Sequence, residues 1–125
     1  DRLSILLIHF AFFIKYKKEN YSIDILQETH DNFFRSLESD IRETGHGDVT
    51  VNKKMKDYLN KFYDILSKIH NWDNLIISEK SEVIKNVLNI NTSIDELIKY
   101  FDLFVKFSRN KSLNYFTKGV ISIKF

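Results

Sequence analysis

The chain has 125 residues, of which 43% are hydrophobic and 14% aromatic, and a formal net charge of +2. That is the length of one domain with enough apolar side chains for a single core, which excludes a disordered chain. The absence of cysteine excludes disulfides, thiol catalysis and sulfur-ligated metals, and the charge balance is too weakly basic for a DNA footprint.

Proline is absent, so long helices can run without interruption. Residues 3–14 (LSILLIHFAFFI) are almost wholly apolar and are followed by Lys15, Lys17 and Lys18. The run is shorter than the roughly 20 residues that span a bilayer. It reads as a central buried helix, with a membrane-surface helix as the alternative, its lysines meeting anionic headgroups. The sequence opens at Asp1 inside this pattern, so residues 1–125 are expected to be a helical domain cut from a longer chain.

Ser22 starts a second helix that runs to about Thr44, with Leu26, Phe33, Leu37 and Ile41 at helical spacing and acidic residues on the other face. Gly45-His46-Gly47-Asp48 then reads as a sharp turn. Gly45 suits the left-handed position past a helix end, Gly47 adds a second free backbone position, and Asp48 or Thr50 is placed to cap the next helix. Val51, Met55, Tyr58, Leu59, Phe62, Leu66 and Ile69 mark the third helix, with Lys53, Lys54, Lys56 and Lys61 on its solvated face.

Asn71-Trp72-Asp73-Asn74 reads as a polar break. Ser78 is a plausible cap for a fourth helix, with Val83, Ile84, Val87 and Leu88 turned inward. After a second break at 89–92, Ser93-Ile94-Asp95-Glu96 forms a capping box for a fifth helix carrying Leu97, Ile98, Phe101, Phe104 and Val105 on one face. Ser112 opens a short sixth helix to Gly119, and the alternating tail to Phe125 is expected to lie extended across the helices. The fold expected is therefore all-α: a single-domain bundle of five to six helices with an extended C-terminal tail.

Catalytic chemistry is nearly absent from this pattern. His9, His30, His46 and His70 are far apart, no HExxH occurs, and GHGD lacks the strand and spacing of a phosphate loop. Asp40, Glu43 and Asp48 read as helix-end carboxylates rather than a metal cluster. No catalytic residue, metal site or cofactor is expected. An enzyme centred on the turn carboxylates or His46 is the weakest alternative.

The order of residue types around the turn resembles the ubiquinol–cytochrome c chaperone family. It runs from Phe33-Phe34 through Glu38, Asp40, Arg42-Glu43 and Gly45-His46-Gly47-Asp48 to Val51-Asn52-Lys53-Lys54-Met55-Lys56 and Phe62-Tyr63. The segment from His9 to Lys15 and the closing segment from Gly119 are similar too, so the resemblance covers most of the chain. The sequence departs from the family at His46, usually small and apolar, and at Asp64-Ile65, where a glycine and a basic residue often follow the Phe-Tyr pair. Phe12 or Phe13 replaces a usual tryptophan.

The resemblance implies an assembly chaperone for the ubiquinol–cytochrome c reductase complex, not an enzyme. It would bind newly made cytochrome b near the ribosome exit and the inner-membrane surface, with a possible small partner subunit. The location implied is the cytoplasmic face of a bacterial inner membrane or the mitochondrial matrix side. Arg42, Glu43, His46, Asp48, Lys53 and Lys54 are the candidate partner-binding residues, and Gly45 and Gly47 the structural turn. The alternative is a peripheral membrane or RNA/ribosome-binding helical module without chaperone activity.

Overall fold

A helix that is apolar on nearly every side has to be covered on nearly every side. The first helix, α1 (Arg2–Lys17), is such a helix. In the computed structural model, which describes residues 2–89 and 95–109, the others are α2 (Ile23–Glu43), α3 (Asp48–Lys68), α4 (Ile77–Leu88) and α5 (Asp95–Arg109). There is no strand among the described residues. α1 contacts all four of the other helices, which form two hairpins, α2–α3 and α4–α5.

The helical advance of about 100° per residue explains how α1 serves both hairpins. Phe10 and Phe12 point to nearly opposite sides. Phe10 stacks on Phe33 of α2, ring centroids 3.8 Å apart, and packs beside Phe62 of α3. Phe12 instead meets Trp72 edge-on at 5.0 Å and Phe101 of α5 at 5.2 Å. All of these rings are fully buried. No helix among the described residues is long and apolar enough to cross a membrane.

Because Leu6 to Ile14 are covered by the chain's own helices, α1 offers no free apolar face to a bilayer. The membrane-surface placement of this helix is thereby corrected. Two lysines of the following cluster are engaged inside the protein as well, while Lys18 stays exposed. The Lys15 amine donates to the His70 carbonyl at 2.9 Å, and the Lys17 amine lies 5.5 Å from the Phe13 ring centre. His9 is also buried. Its Nδ1 is 2.6 Å from the Ile5 carbonyl and its Nε2 2.5 Å from the Tyr100 hydroxyl, a geometry in which Nδ1 donates and Tyr100 donates to Nε2. Burial holds its pKa below the ordinary value.

Several local expectations change. α2 does start behind Ser22, whose Oγ accepts from the Ile25 amide at 3.3 Å. α4 begins one residue before Ser78, and the Glu79 carboxylate caps it by accepting from the Ile76 amide at 3.0 Å. Asn89 ends α4 in the left-handed region at φ 52°, which a short polar side chain tolerates. Leu59 and Leu97 are half-buried, because Ile65 and Ile98 hold the inward positions on their helices. Lys61 leaves the solvated face and donates to the buried Ser4 hydroxyl on α1.

The largest change is at residues 71–74. This polar segment is a short 3₁₀ turn built around a buried Trp72. The indole N–H donates to Asp102 Oδ1 at 3.0 Å, Lys80 pairs with the same carboxylate at 3.3 Å, and the Tyr16 hydroxyl donates to Asp73 at 2.7 Å. Polar neighbours therefore anchor the tryptophan that joins α1 to the second hairpin. The capping box at Ser93-Ile94, the sixth helix and the extended tail lie outside the described residues.

Candidate functional site

The α2–α3 corner follows from two glycines that do different work. Gly45 has φ +94°, a conformation that a Cβ makes costly, and its amide bonds back to the Arg42 carbonyl at 3.0 Å. Gly47 is extended (φ −77°, ψ 168°) and is itself the N-cap of α3, with no side chain to accept from the first turn. Neither Asp48 nor Thr50 caps α3, since both lie inside the helix. Asp48 instead takes a hydrogen bond and ion pair from Arg42, which holds the guanidinium pKa above its ordinary value.

The corner is fully on the surface: Arg42, Glu43, His46 and Asp48 are all exposed. Arg42 is shared between Asp48 and Glu38, the latter at 3.9 Å. Partial burial and the nearby charge of Glu43 push the Asp40 carboxyl pKa up. No group of three metal-ligating side chains occurs among the described residues. Thus Arg42 and Asp48 come together, and the cationic part of the edge falls to Lys53 and Lys54 in the second turn of α3. Lys53 is exposed and Lys54 half-buried, and neither makes an ion pair among the described residues.

A second feature was not among the sequence candidates. The end of α1, the start of α2 and the last turns of α3 enclose an open cleft of about 420 Å³. Ile14, Leu26, Phe62 and Leu66 supply its apolar wall. Tyr21, Ile23 and Tyr63 stand exposed at its lip, Ile23 with 79% of its surface in solvent. His30 lies between these groups, its Nε2 3.1 Å from the Tyr63 hydroxyl and its ring stacked on Tyr63 at 5.8 Å. The sequence held a signal for it: Tyr21 and Ile23 are apolar residues displaced from the stripe that Leu26, Phe33 and Leu37 turn to the core. The Phe62-Tyr63 pair divides likewise, Phe62 inward and Tyr63 outward.

No curated protein and no solved structure matches the chain. The family model described as Ubiquinol-cytochrome C chaperone matches residues 1–91, the stretch that contains both the charged corner and the apolar cleft. With that match over most of its length, the chain belongs to the ubiquinol–cytochrome c chaperone family.

Proposed function

We propose that this protein binds newly made cytochrome b during assembly of the ubiquinol–cytochrome c reductase complex. It would act on the cytoplasmic side of a bacterial inner membrane or on the matrix side of the mitochondrial one. The observation that carries the reading is the family match over residues 1–91, a stretch that also holds a charged corner at one end of the α2–α3 hairpin and an apolar cleft at the other. A helper for an apolar membrane client needs both kinds of surface. Charge brings the partners together in register, and apolar surface covers the client until its own neighbours arrive. The role is one of binding, in which Lys53 and Lys54 present the docking charge and Arg42, locked to Asp48, keeps the corner rigid.

The double change Lys53→Glu and Lys54→Glu tests this. Lys53 is exposed and Lys54 half-buried, and neither has an ion pair to lose among the described residues, so folding stability should change by no more than about 0.5 kcal/mol. Cytochrome b recovered with the protein from detergent-solubilised membranes, and cytochrome b accumulation in cells, should both fall. Normal assembly of the bc complex with the variant at normal abundance would refute the docking role. A binding partner that is RNA would show itself by a steep loss of affinity with salt, as counterions are released.

A further inference from the structure

Two hollows on this protein share a wall. Beside the apolar cleft lies a second hollow of about 370 Å³, lined by Lys15, Lys18, Leu66, Ser67 and His70. Lys18 and Leu66 line both. Together they form one trough, apolar between Ile23 and Tyr63 and cationic beyond Leu66. The two lysines differ in what they have left to offer. Lys15 donates to the His70 carbonyl, whereas Lys18 is exposed and makes no ion pair among the described residues.

We infer that the trough holds a segment of a partner polypeptide, with apolar side chains between Ile23 and Tyr63 and an aspartate or glutamate side chain at Lys18. The charge at one end calls for an acidic group, and the apolar end calls for residues that leave water favourably. The cleft's polar groups decide for a polypeptide over a lipid. Gln27, His30 and the Tyr63 hydroxyl, linked to one another and to Asp31, stand at the apolar half, where a polar side chain of a peptide can bond to their remaining sites and an acyl chain cannot. Tyrosine at the lip suits this role, because its ring gives contact area while its hydroxyl stays hydrated. The inference rests on the assembly-factor reading for the class of partner, an apolar protein, but its test can be read without cytochrome b.

The test uses the full chain and three fluorescein-labelled model helices. Each has leucines at i, i+3, i+4 and i+7, and one turn further on carries Glu, Gln or Lys. Fluorescence anisotropy should give the order Glu tighter than Gln, and Gln tighter than Lys. Tyr63→Ala should weaken the Glu and Gln helices alike, by about tenfold. Lys18→Glu should weaken the Glu helix by about fivefold, leave the Gln helix nearly unchanged and improve the Lys helix. Lys53→Glu/Lys54→Glu should alter none of the three. Circular dichroism and urea unfolding show whether each variant is folded.

Peptide binding that ignores both Tyr63→Ala and Lys18→Glu would overturn the inference. So would binding to vesicles of neutral and anionic phospholipid that depends on these residues while the peptides do not bind. A concentration-dependent dimer abolished by Tyr63→Ala would assign the trough to a second copy and overturn it as well. Cytochrome b recovery separates the two readings. Recovery that survives Tyr63→Ala, with no effect on the peptides, defeats the trough alone. Peptide binding that follows the expected order, with no cytochrome b recovered by the unaltered protein, defeats only the identity of the client.

Discussion

The two glycines of the corner allow an internal control within three residues. A Cβ placed on either would meet no atom within 4 Å, so steric clash cannot separate them. What separates them is the backbone. Gly45 sits at φ +94°, where an L-residue is strained by roughly 1–2 kcal/mol. Gly47 sits at φ −77° in the N-cap position, which any residue adopts and serine favours. Gly45→Ala should therefore lower the unfolding free energy by about 1–2 kcal/mol, which for a chain of this size is a fall in Tm of about 3–10 °C. Gly47→Ser should leave stability unchanged or raise it by a few tenths of a kcal/mol, because its hydroxyl can accept an open amide of the first turn. Urea unfolding followed by the fluorescence of Trp72, the only tryptophan in the chain and a buried one, measures both on one scale. Equal stabilities for the two variants would refute the assignment of the turn's strain to Gly45. So would a Gly47→Ser variant weaker than Gly45→Ala.

The buried aromatics give larger effects. Phe10→Ala, which empties the stack on Phe33, should cost about 3–5 kcal/mol in the same assay. Asp102→Ala leaves the buried indole N–H without its acceptor and should cost about 1–3 kcal/mol, with the Trp72 emission shifted even where the protein stays folded. His9 sets a pH dependence. Its folded pKa lies below the unfolded value of 6.5, so its contribution is full above pH 6.5 and is lost as pH falls from there through the folded value. Unfolding free energies at several pH values between 7.5 and 5 should fall more steeply for the parent than for His9→Phe; parallel curves would show that His9 is not responsible.

Much of the fold was legible because its strongest signals are periodic. The stripes of α2 and α3 place Phe33, Leu37, Val51, Met55 and Phe62 in the core, and the apolar density of α1 predicts its central position. Gly45 was equally readable, since a helix that stops in a glycine-poor chain needs its left-handed residue there. Trp72 was hidden by its neighbours. Asn71, Asp73 and Asn74 read as a break, and only the tertiary bond from the indole to Asp102 reveals an anchor. The cap of α4 was missed for a similar reason. Glu79 reaches back from inside the helix to the Ile76 amide, whereas Ser78 was the residue of the expected type. In the candidate site, the exposed corner was readable from its turn chemistry, but the Arg42–Asp48 pair was not, and the cleft was signalled only by the displaced Tyr21 and Ile23. Both depend on how neighbouring helices bring side chains of distant sequence to one place.

The aromatic residues divide in a way that bears on how such a protein handles an apolar client. Of the 11 phenylalanines, eight, from Phe10 to Phe104, are buried, so the abundance of Phe reflects the core and not a client groove. The surface aromatics of the cleft are tyrosines. Tyr21 and Tyr63 carry hydroxyls that keep water at the lip when no client is present. A groove lined by exposed phenylalanine would favour self-association instead, because a broad apolar patch attracts its own kind as readily as a client. Limiting the apolar wall to Ile14, Leu26, Phe62 and Leu66, behind a tyrosine lip and beside Lys18, leaves a surface that gains most from a partner both apolar and acidic. The charged corner lies at the opposite end of the α2–α3 hairpin from this cleft, so the charge-guided docking proposed there would not compete for the groove. On the proposed reading, recognition and shielding would fall at the two ends of one helix pair, which α1 joins through the Phe10–Phe33–Phe62 cluster.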